Sequence, residues 1–443
     1  MPHLLFVHTA GDPRPYVGRL RRQGFRCSLI KKQPSAADRE AFDLVVDLDY
    51  QESMAAVVES AARIAAAQPL HGVLSFSESG VIPASMIAAA LGLPGNHPRA
   101  VLAARNKFLM RSRLRAAGLP CPPFHLVDDA EEIAAHLERH GGPMVLKPIS
   151  GSSSYGVVRL EPGLGREQVA AHLDGVRDYI RTYRARNPQY PFEFWLPAAE
   201  FGIVPEDVYD PERVLLLEGF LSGVQVSVDG IVSGDSVSCF GVIQVERMPG
   251  VTHFVEYEEW MPTRLGEARE RQIMQMAARA VRALGLTRSC FHCELKVGDG
   301  EPVVLELAAR RGADNIADFL ARLQGVDIYE EGARLAIGEH RHHPPRGARG
   351  AMKMRYYVPQ EDGVYEGVEG VEALRADPRV SEIDIEFEPG DAVVTPPAGF
   401  EFFGYLSVWG PTLAAAEATL EELHPRLRFR VRPAAAAART TPT

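Results

Sequence analysis

The sequence predicts a multi-domain protein of the α/β class: a parallel α/β layer first, a larger α+β centre, and a mixed α+β lobe last. Three observations predict it. At 443 residues the chain has room for about three domains of ordinary size. Short apolar runs alternate with helical patterns through residues 1–103, the mark of a parallel layer. Beyond them, strand patterns come in turn-linked pairs, which read as antiparallel hairpins. A content of 46% hydrophobic and 24% charged residues excludes a disordered or fibrous chain. The formal net charge of −10 argues against general nucleic-acid binding, which needs a basic surface.

In residues 1–103, strand-like runs at 4–7, 27–30, 44–48 and 73–76 alternate with helical patterns at 53–67 and 82–91. The first turn, Thr9-Ala10-Gly11-Asp12-Pro13, lacks the repeated glycines of a dinucleotide fingerprint, so a nicotinamide cofactor gains no support. Helical spacing resumes over 100–117 and stops at Gly118-Leu119-Pro120. Residues 104–340 read as one larger unit. In it, the strand 144–147 runs into a loop from Pro148 to Gly156 that contains Ser152, Ser153 and Ser154, and the strand 157–160 leaves it. Amides and hydroxyls of such a loop can face an anion, and a surface hairpin without function has the same pattern. No Gly-Lys-Ser/Thr follows, which excludes a Walker loop. Residues 161–212 are long and polar and read as an insertion. Strand patterns at 214–220, 224–228 and 237–245 precede a helix at 267–284. The Arg/His/Pro-rich stretch 339–350 reads as a linker, residues 351–432 as the C-terminal lobe, and 433–443 as a frayed tail.

Five scattered cysteines fit reduced thiols better than a disulfide framework. No leader precedes the first strand, and no apolar run reaches the roughly 18 residues of a membrane span. These features predict a cytoplasmic protein that does not enter membranes. The basic residues are uneven: 42 are Arg and only six are Lys, at 31, 32, 107, 147, 296 and 353.

Residues 290–310 carry the most information. Two alternating runs flank Gly298-Asp299-Gly300, a hairpin signal. With the turn near Gly300, Glu294 lies opposite Glu306. Alternation then puts His292, Glu294, Lys296, Glu306, Ala308 and Arg310 on one face, and Phe291, Cys293, Leu295, Val297, Val303, Leu305 and Leu307 on the core face. Two carboxylates paired across strands, with Cβ atoms about 5 Å apart, repel each other unless a cation lies between them. All-oxygen ligands of this kind suit Mg2+, and Arg310 can hold a phosphate or carboxylate oxygen. A structural Glu/Arg/Lys network has the same pattern. Zinc is a weak reading for Cys290-Phe-His-Cys293, because the two cysteines fall on opposite faces of the strand.

Asn106-Lys107, then Val145-Leu146-Lys147-Pro148 with its Gly/Ser loop, then Glu294 and Glu306-Leu-Ala-Ala-Arg310 occur in an order that resembles the ATP-grasp superfamily. Phe76-Ser77-Glu78 and Gly92-Leu93-Pro94-Gly95 resemble its preceding domain, and 351–431 its ligase C-terminal lobe. In residues 104–340 this family likeness implies two lobes, with a mobile lid at about 120–218. The resemblance implies that Lys107 and Lys147 neutralise ATP phosphates, that Ser152, Ser153, Ser154 and Gly156 fold over them, and that Glu218 and Phe220 belong to the hinge at the adenine. It implies that Glu294 and Glu306 hold Mg2+, with Mn2+ as a substitute, and that Arg310 clamps the transferred phosphoryl group or the substrate carboxylate. Glu78, Glu256 and His292 become candidates for substrate contact. Many relatives have Asn at the position of Ala308 and an acidic residue at that of Gln225. The L-amino-acid ligase branch often lacks that Asn, and Phe254-Val255-Glu256 and Phe291-His292-Cys293-Glu294 look like this branch.

The implied activity is ATP-dependent carboxylate-amine ligation through an acyl phosphate, giving an amide or dipeptide. The substrates would be a small carboxylate and an amine, and the superfamily expectation for assembly is a homodimer. A carboxylase, a ligase with a non-amino-acid substrate, and a nucleotide-binding regulator without turnover are the alternatives. Where Arg serves nearly everywhere, a retained Lys points to a site that a planar guanidinium would not fit. Lys107→Arg and Lys147→Arg are then expected to weaken ATP turnover far more than Lys31→Arg.

Overall fold

The computed structural model describes residues 1–433 apart from 51–52, 152–153, 187–198, 250–253, 341–347, 396–398 and 400. Strands β1 (His3–Val7), β2 (Arg26–Lys31), β3 (Leu44–Asp47) and β4 (Gly72–Leu74) form a parallel sheet in the order β3-β2-β1-β4. The apolar run of β1 is fully buried, as a strand covered on both faces must be. The chain moves to opposite sides of β1 on reaching β2 and β4, so the loops after β1 and β4 part over the carboxyl edge. That parting is where open α/β sheets place ligands. Gly11, Ser77 and Glu78 lie there and line a cleft.

The spacing over 100–117 predicts one helix, and the structure has two, Pro98–Arg105 and Lys107–Ala116. Asn106 leaves helical geometry, at φ −101° and ψ 107°, and its Oδ1 accepts the Leu109 amide at 3.0 Å. An Asn cap is worth about 1 kcal/mol and starts a new helix here. Lys107 therefore opens a helix instead of lying inside one.

Strands β5 (Phe124–Val127), β6 (Met144–Pro148), β7 (Val158–Leu160) and β8 (Leu215–Gly219) make an antiparallel sheet ordered β5-β8-β6-β7. The helix Arg166–Arg186 packs Val169, Leu173, Val176 and Ile180 against Leu146, Leu215 and Leu217. The first part of the stretch read as an insertion is thus a core layer of this unit. Its apolar residues recur at three- and four-residue spacing, a signal its polar composition masked. Of the loop serines, Ser152 and Ser153 lie outside the described residues, while Ser154 and Gly156 both take positive φ, 56° and 68°.

Strands β9 (Val224–Ser233), β10 (Ser236–Arg247), β11 (Glu256–Met261), β12 (Arg288–Val297) and β13 (Val303–Ala308) follow. They are succeeded by β14 (Ala351–Tyr356), β15 (Gly363–Glu369), β16 (Val380–Ile385), β17 (Ala392–Val393), β18 (Gly404–Gly410) and β19 (Arg428–Pro433). Eight of these strands form one antiparallel sheet in the order β13-β12-β9-β10-β11-β14-β18-β16, and β17-β15-β19 form a small second sheet. Pairing of β11 with β14 carries the large sheet into the C-terminal residues. The helix Glu267–Ala283 covers it with Ile273, Met276, Ala277 and Ala280.

The hairpin of β12 and β13 has the predicted pairs, Glu294 with Glu306 and His292 with Ala308. The register then shifts, so that Leu295 faces Val304. This bulge corrects the predicted alternation: Val304, 1% exposed, takes the core place expected for Leu305, and Leu305 lines the cleft. Cys290 and Cys293 are free thiols in two different core clusters, which removes the zinc reading. Among the described residues, no helix is long and apolar enough to cross a membrane.

Candidate active site

The lid sheet and the large sheet face each other across a cleft of about 1350 Å³, open to solvent. Lys107, Lys147, Ser154, Glu218, Phe220, Glu256, His292, Glu294, Glu306 and Arg310 all line it. Residues spread over more than two hundred positions of sequence are therefore brought to one place. Glu78 lines the neighbouring cleft, which shares Arg310.

The Lys107 Nζ donates to Glu306 Oε1 at 3.1 Å and to the Gly151 carbonyl at 2.9 Å. Lys147 projects from β6 and pairs with Glu218. Arg111, one turn after Lys107, is fully buried and donates to Glu218 Oε2 at 2.8 Å and to the carbonyls of Val304 and Leu305 at 2.7 and 2.9 Å. Burial pulls the Glu218 carboxyl up, but Arg111 and Lys147 outweigh it and hold it down at about 2. The Glu218 side chain is thus spent on positioning Lys147, and the hinge meets the cleft through Gly219 and Phe220. Phe220 stacks on Phe254 at 6.4 Å, with Arg159 over one ring and Arg247 over the other, each at 4.3 Å. Sequence reasoning missed Arg111; its only signal was the four-residue spacing from Lys107 on one helix face.

Behind Glu294, His292 Nδ1 lies 2.9 Å from Asp229 Oδ2 and Nε2 lies 3.6 Å from Glu294 Oε1. Burial disfavours the charged ring, yet Asp229 and Glu294 together raise its pKa well above the ordinary value. His292 thus lies between the two carboxylates, where it positions Glu294, and it lines the cleft. Gln225 Nε2 bridges Glu294 and Glu256, 3.3 Å from each, while its Oε1 accepts from Arg247. Asp229 also accepts the Gly312 amide at 2.6 Å. A Cβ on Gly312 would lie 2.9 Å from both Asp229 Oδ1 and His292 Nδ1, which requires glycine at this point of the loop after β13. Gly312→Ala is expected to displace Arg310 and lower activity at least tenfold, on the order seen for misplaced catalytic groups, which steady-state kinetics would read.

Glu78 lies between Arg105 and Arg310 and pairs with both. Burial again opposes its charge, and the two guanidiniums prevail and hold it at about 2. Its carboxylate thereby orients Arg310. With buried Glu78 and Glu218 both low, their stabilisation is complete above about 4.5 and is lost as pH falls toward 2. Acid unfolding followed by circular dichroism should fall in that window.

The donor set fits Mg2+. Glu294 and Glu306 are cross-strand neighbours, about a quarter exposed, with oxygens turned into the cleft. Two carboxylates are a typical protein share for Mg2+, with phosphate oxygens and water supplying the rest. Among the described residues, the one group of three close acidic or His/Cys ligands is Asp128, Asp129 and Glu132, outside the cleft.

Family models match three segments: an ATP-grasp N-terminal domain at residues 22–95, an ATP-grasp domain at 199–318, and L-amino acid ligase C-terminal domain 2 at 355–432. The chain is an ATP-grasp protein with an L-amino acid ligase C-terminal domain. This ATP-grasp chain is similar in fold to the L-amino acid ligase of Bacillus licheniformis, with a TM-score of 0.81 at 19% identity over 98% of this chain and 99% of that one. It is 26% identical to the alanine–anticapsin ligase of Bacillus subtilis over 74% of this chain and 70% of the relative. An uncharacterized protein, y4rH of Sinorhizobium fredii, is 24% identical over 94% of this chain and 80% of its own length.

The six lysines of the ATP-grasp chain divide evenly. Lys107, Lys147 and Lys296 line the cleft. Lys31, Lys32 and Lys353 pair with Asp38, Asp49 and Glu258 elsewhere. Lys31 also reaches Thr9 at 2.9 Å in a tight network, so the more exposed Lys32 is the better control. Lys147→Arg should lower ATP turnover on the order of 10²-fold in a phosphate-release assay, and Lys32→Arg less than twofold.

Proposed function

We propose that the protein joins a carboxylate to an amine, forming an amide or dipeptide at the expense of ATP. The observation that carries the reading is the convergence of two buried lysines and two cross-strand glutamates on one cleft, which opens at Arg310 into a second. ATP would lie in the first cleft, its base against Phe220 and Leu305 and its phosphates on Lys107, Lys147 and the loop of Ser154 and Gly156. Mg2+ on Glu294 and Glu306 would supply charge neutralisation at the β- and γ-phosphates. The substrate carboxylate, on Arg310, would attack the γ-phosphorus as the bond to the ADP oxygen breaks. The amine nitrogen, after losing a proton, would attack the acyl carbon, and inorganic phosphate would leave. Positioning and charge neutralisation are most of what phosphoryl transfer needs, so no covalent nucleophile is required.

Ala308, where many relatives carry Asn, keeps a regulator without turnover as the second reading. Phosphate release from Mg-ATP in amino-acid pairs, with mass spectrometry of the products, separates the two. The ligase reading expects phosphate and amide in equal amounts, whereas nucleotide binding with silence in every pair would support the regulator. The lysines and carboxylates of the site, suited to ATP and Mg2+, support a protein working on small molecules in the cytoplasm.

Glu256 adds a pH dependence. Burial first, then Glu294 and Asp314, push its carboxyl up to about 7. If it receives the substrate ammonium, the charged form exists above that value, and the KM for the amino substrate should fall as pH rises through about 7. A pH profile of KM with a Glu256→Gln control tests it, since the variant should flatten the profile.

A further inference from the structure

The second cleft, about 2670 Å³, is uneven in charge. Its cations are engaged on the N-terminal side. Arg105 and Arg310 share Glu78, and Arg19 pairs with Asp327, while Arg311 lies over the Tyr329 ring at 4.5 Å and donates to the Gly312 carbonyl, with its Nε left without a partner. The facing wall is acidic. Strand β16 and the residue after it present Glu382, Asp384 and Glu386 on one face, and Asp314 and Asp318 come toward them from the segment after β13. Among the described residues none of these five forms an ion pair. Arg375 is held by Glu372 at 3.1 Å and acts on Asp384 only through its field, and Arg322 reaches Ser381 Oγ and lies over the Trp409 ring at 5.2 Å. Burial and neighbouring carboxylates, Asp314 first, push Glu386 up to about 7, so the wall is crowded with like charge.

A buried acceptor next to Asp314 points to a donor. Asn315, 1% exposed and lining this cleft, gives its Nδ2 to Glu382 and leaves Oδ1 without a partner. Glu259, 5% exposed, lines the first cleft and leaves Oε2 without a partner. A bulge at Tyr257 turns both Glu256 and Glu259 to that side, whereas Glu258 faces Lys353 and Arg355. Asp314 lines both clefts, at φ 46°, and accepts the Tyr356 hydroxyl at 2.6 Å. Tyr155 and Tyr183 of the lid unit pack on each other at 4.5 Å and line the same cleft.

We infer that one of the two substrates carries a cationic side chain, an ammonium or guanidinium, that lies between Asp314 and the acidic face of β16. The inference rests on the ligase reading and names the substrate class for it. Arginine against citrulline and lysine against norleucine, each offered in amino-acid pairs with Mg-ATP, test it by phosphate release. The cationic member should show kcat/KM about tenfold or more above its neutral counterpart, because carboxylates without an opposing cation favour the charged analogue over an uncharged one of the same length. Glu386→Gln and Asp384→Asn, which keep side-chain shape and leave the backbone pairing of β16 intact, should each shrink that preference severalfold. Equal or better turnover of citrulline and norleucine overturns the inference and leaves the ligase reading standing. Silence in all pairs, with nucleotide still bound, overturns the ligase reading and the inference with it.

Discussion

Glu306→Ala is expected to lower ATP turnover on the order of 10³-fold, the scale on which removing one preorganised electrostatic partner of the transition state acts. Glu306 is the cross-strand neighbour of Glu294 and the ion-pair partner of Lys107 at 3.1 Å. Its removal leaves Glu294 as the single carboxylate of the pair and frees Lys107 from the geometry that aims it. The loss should be in kcat more than in folding, because Glu306 is 27% exposed and Lys107 keeps the Gly151 carbonyl at 2.9 Å when the carboxylate is gone. Glu306→Gln keeps the shape and removes the charge, so it should lose nearly as much. Steady-state kinetics beside a thermal melt checks both halves: full activity in either variant would contradict the metal assignment.

Arg111→Met is expected to act on stability instead. The guanidinium is fully buried, and it holds Glu218 and two carbonyls of β13 at once. Methionine fills much of the volume but strands a buried carboxylate and two acceptors. Breaking a buried pair by removing one partner costs about 3–5 kcal/mol. For a unit of this size that is a fall in Tm of roughly 10 °C, readable by calorimetry. Glu218 then keeps only Lys147, so the lysine shifts toward its carboxylate and ATP affinity should fall as well. An unchanged Tm would mean that water reaches the site and replaces the guanidinium.

The parallel layer was legible because its four strands are short apolar runs, a pattern that any register preserves. The cross-strand pair Glu294 and Glu306 was legible because a tight turn fixes pairing close by. Leu305 was not, because a one-residue bulge reverses alternation without any mark in residue type. The break at Asn106 had a sequence signal, a capping residue inside a helical pattern, but the apolar spacing continues through it. Partners distant in sequence were hidden: nothing in Glu78 or Glu218 foretells that arginines engage their carboxylates, since such pairs arise only when separate units pack. For the same reason the acidic wall of β16 had no separate signal within residues 351–432.

The central claim, that a substrate carboxylate is activated by the γ-phosphate of ATP, meets its most direct test in an isotope transfer. A substrate with heavy oxygen in its carboxylate is incubated with the protein, Mg-ATP and the amine, and the released phosphate is weighed by mass spectrometry. An acyl phosphate predicts one heavy oxygen in each phosphate, delivered from the carboxylate when the amine takes the acyl group. Phosphate that carries none, while amide still forms, would contradict the account.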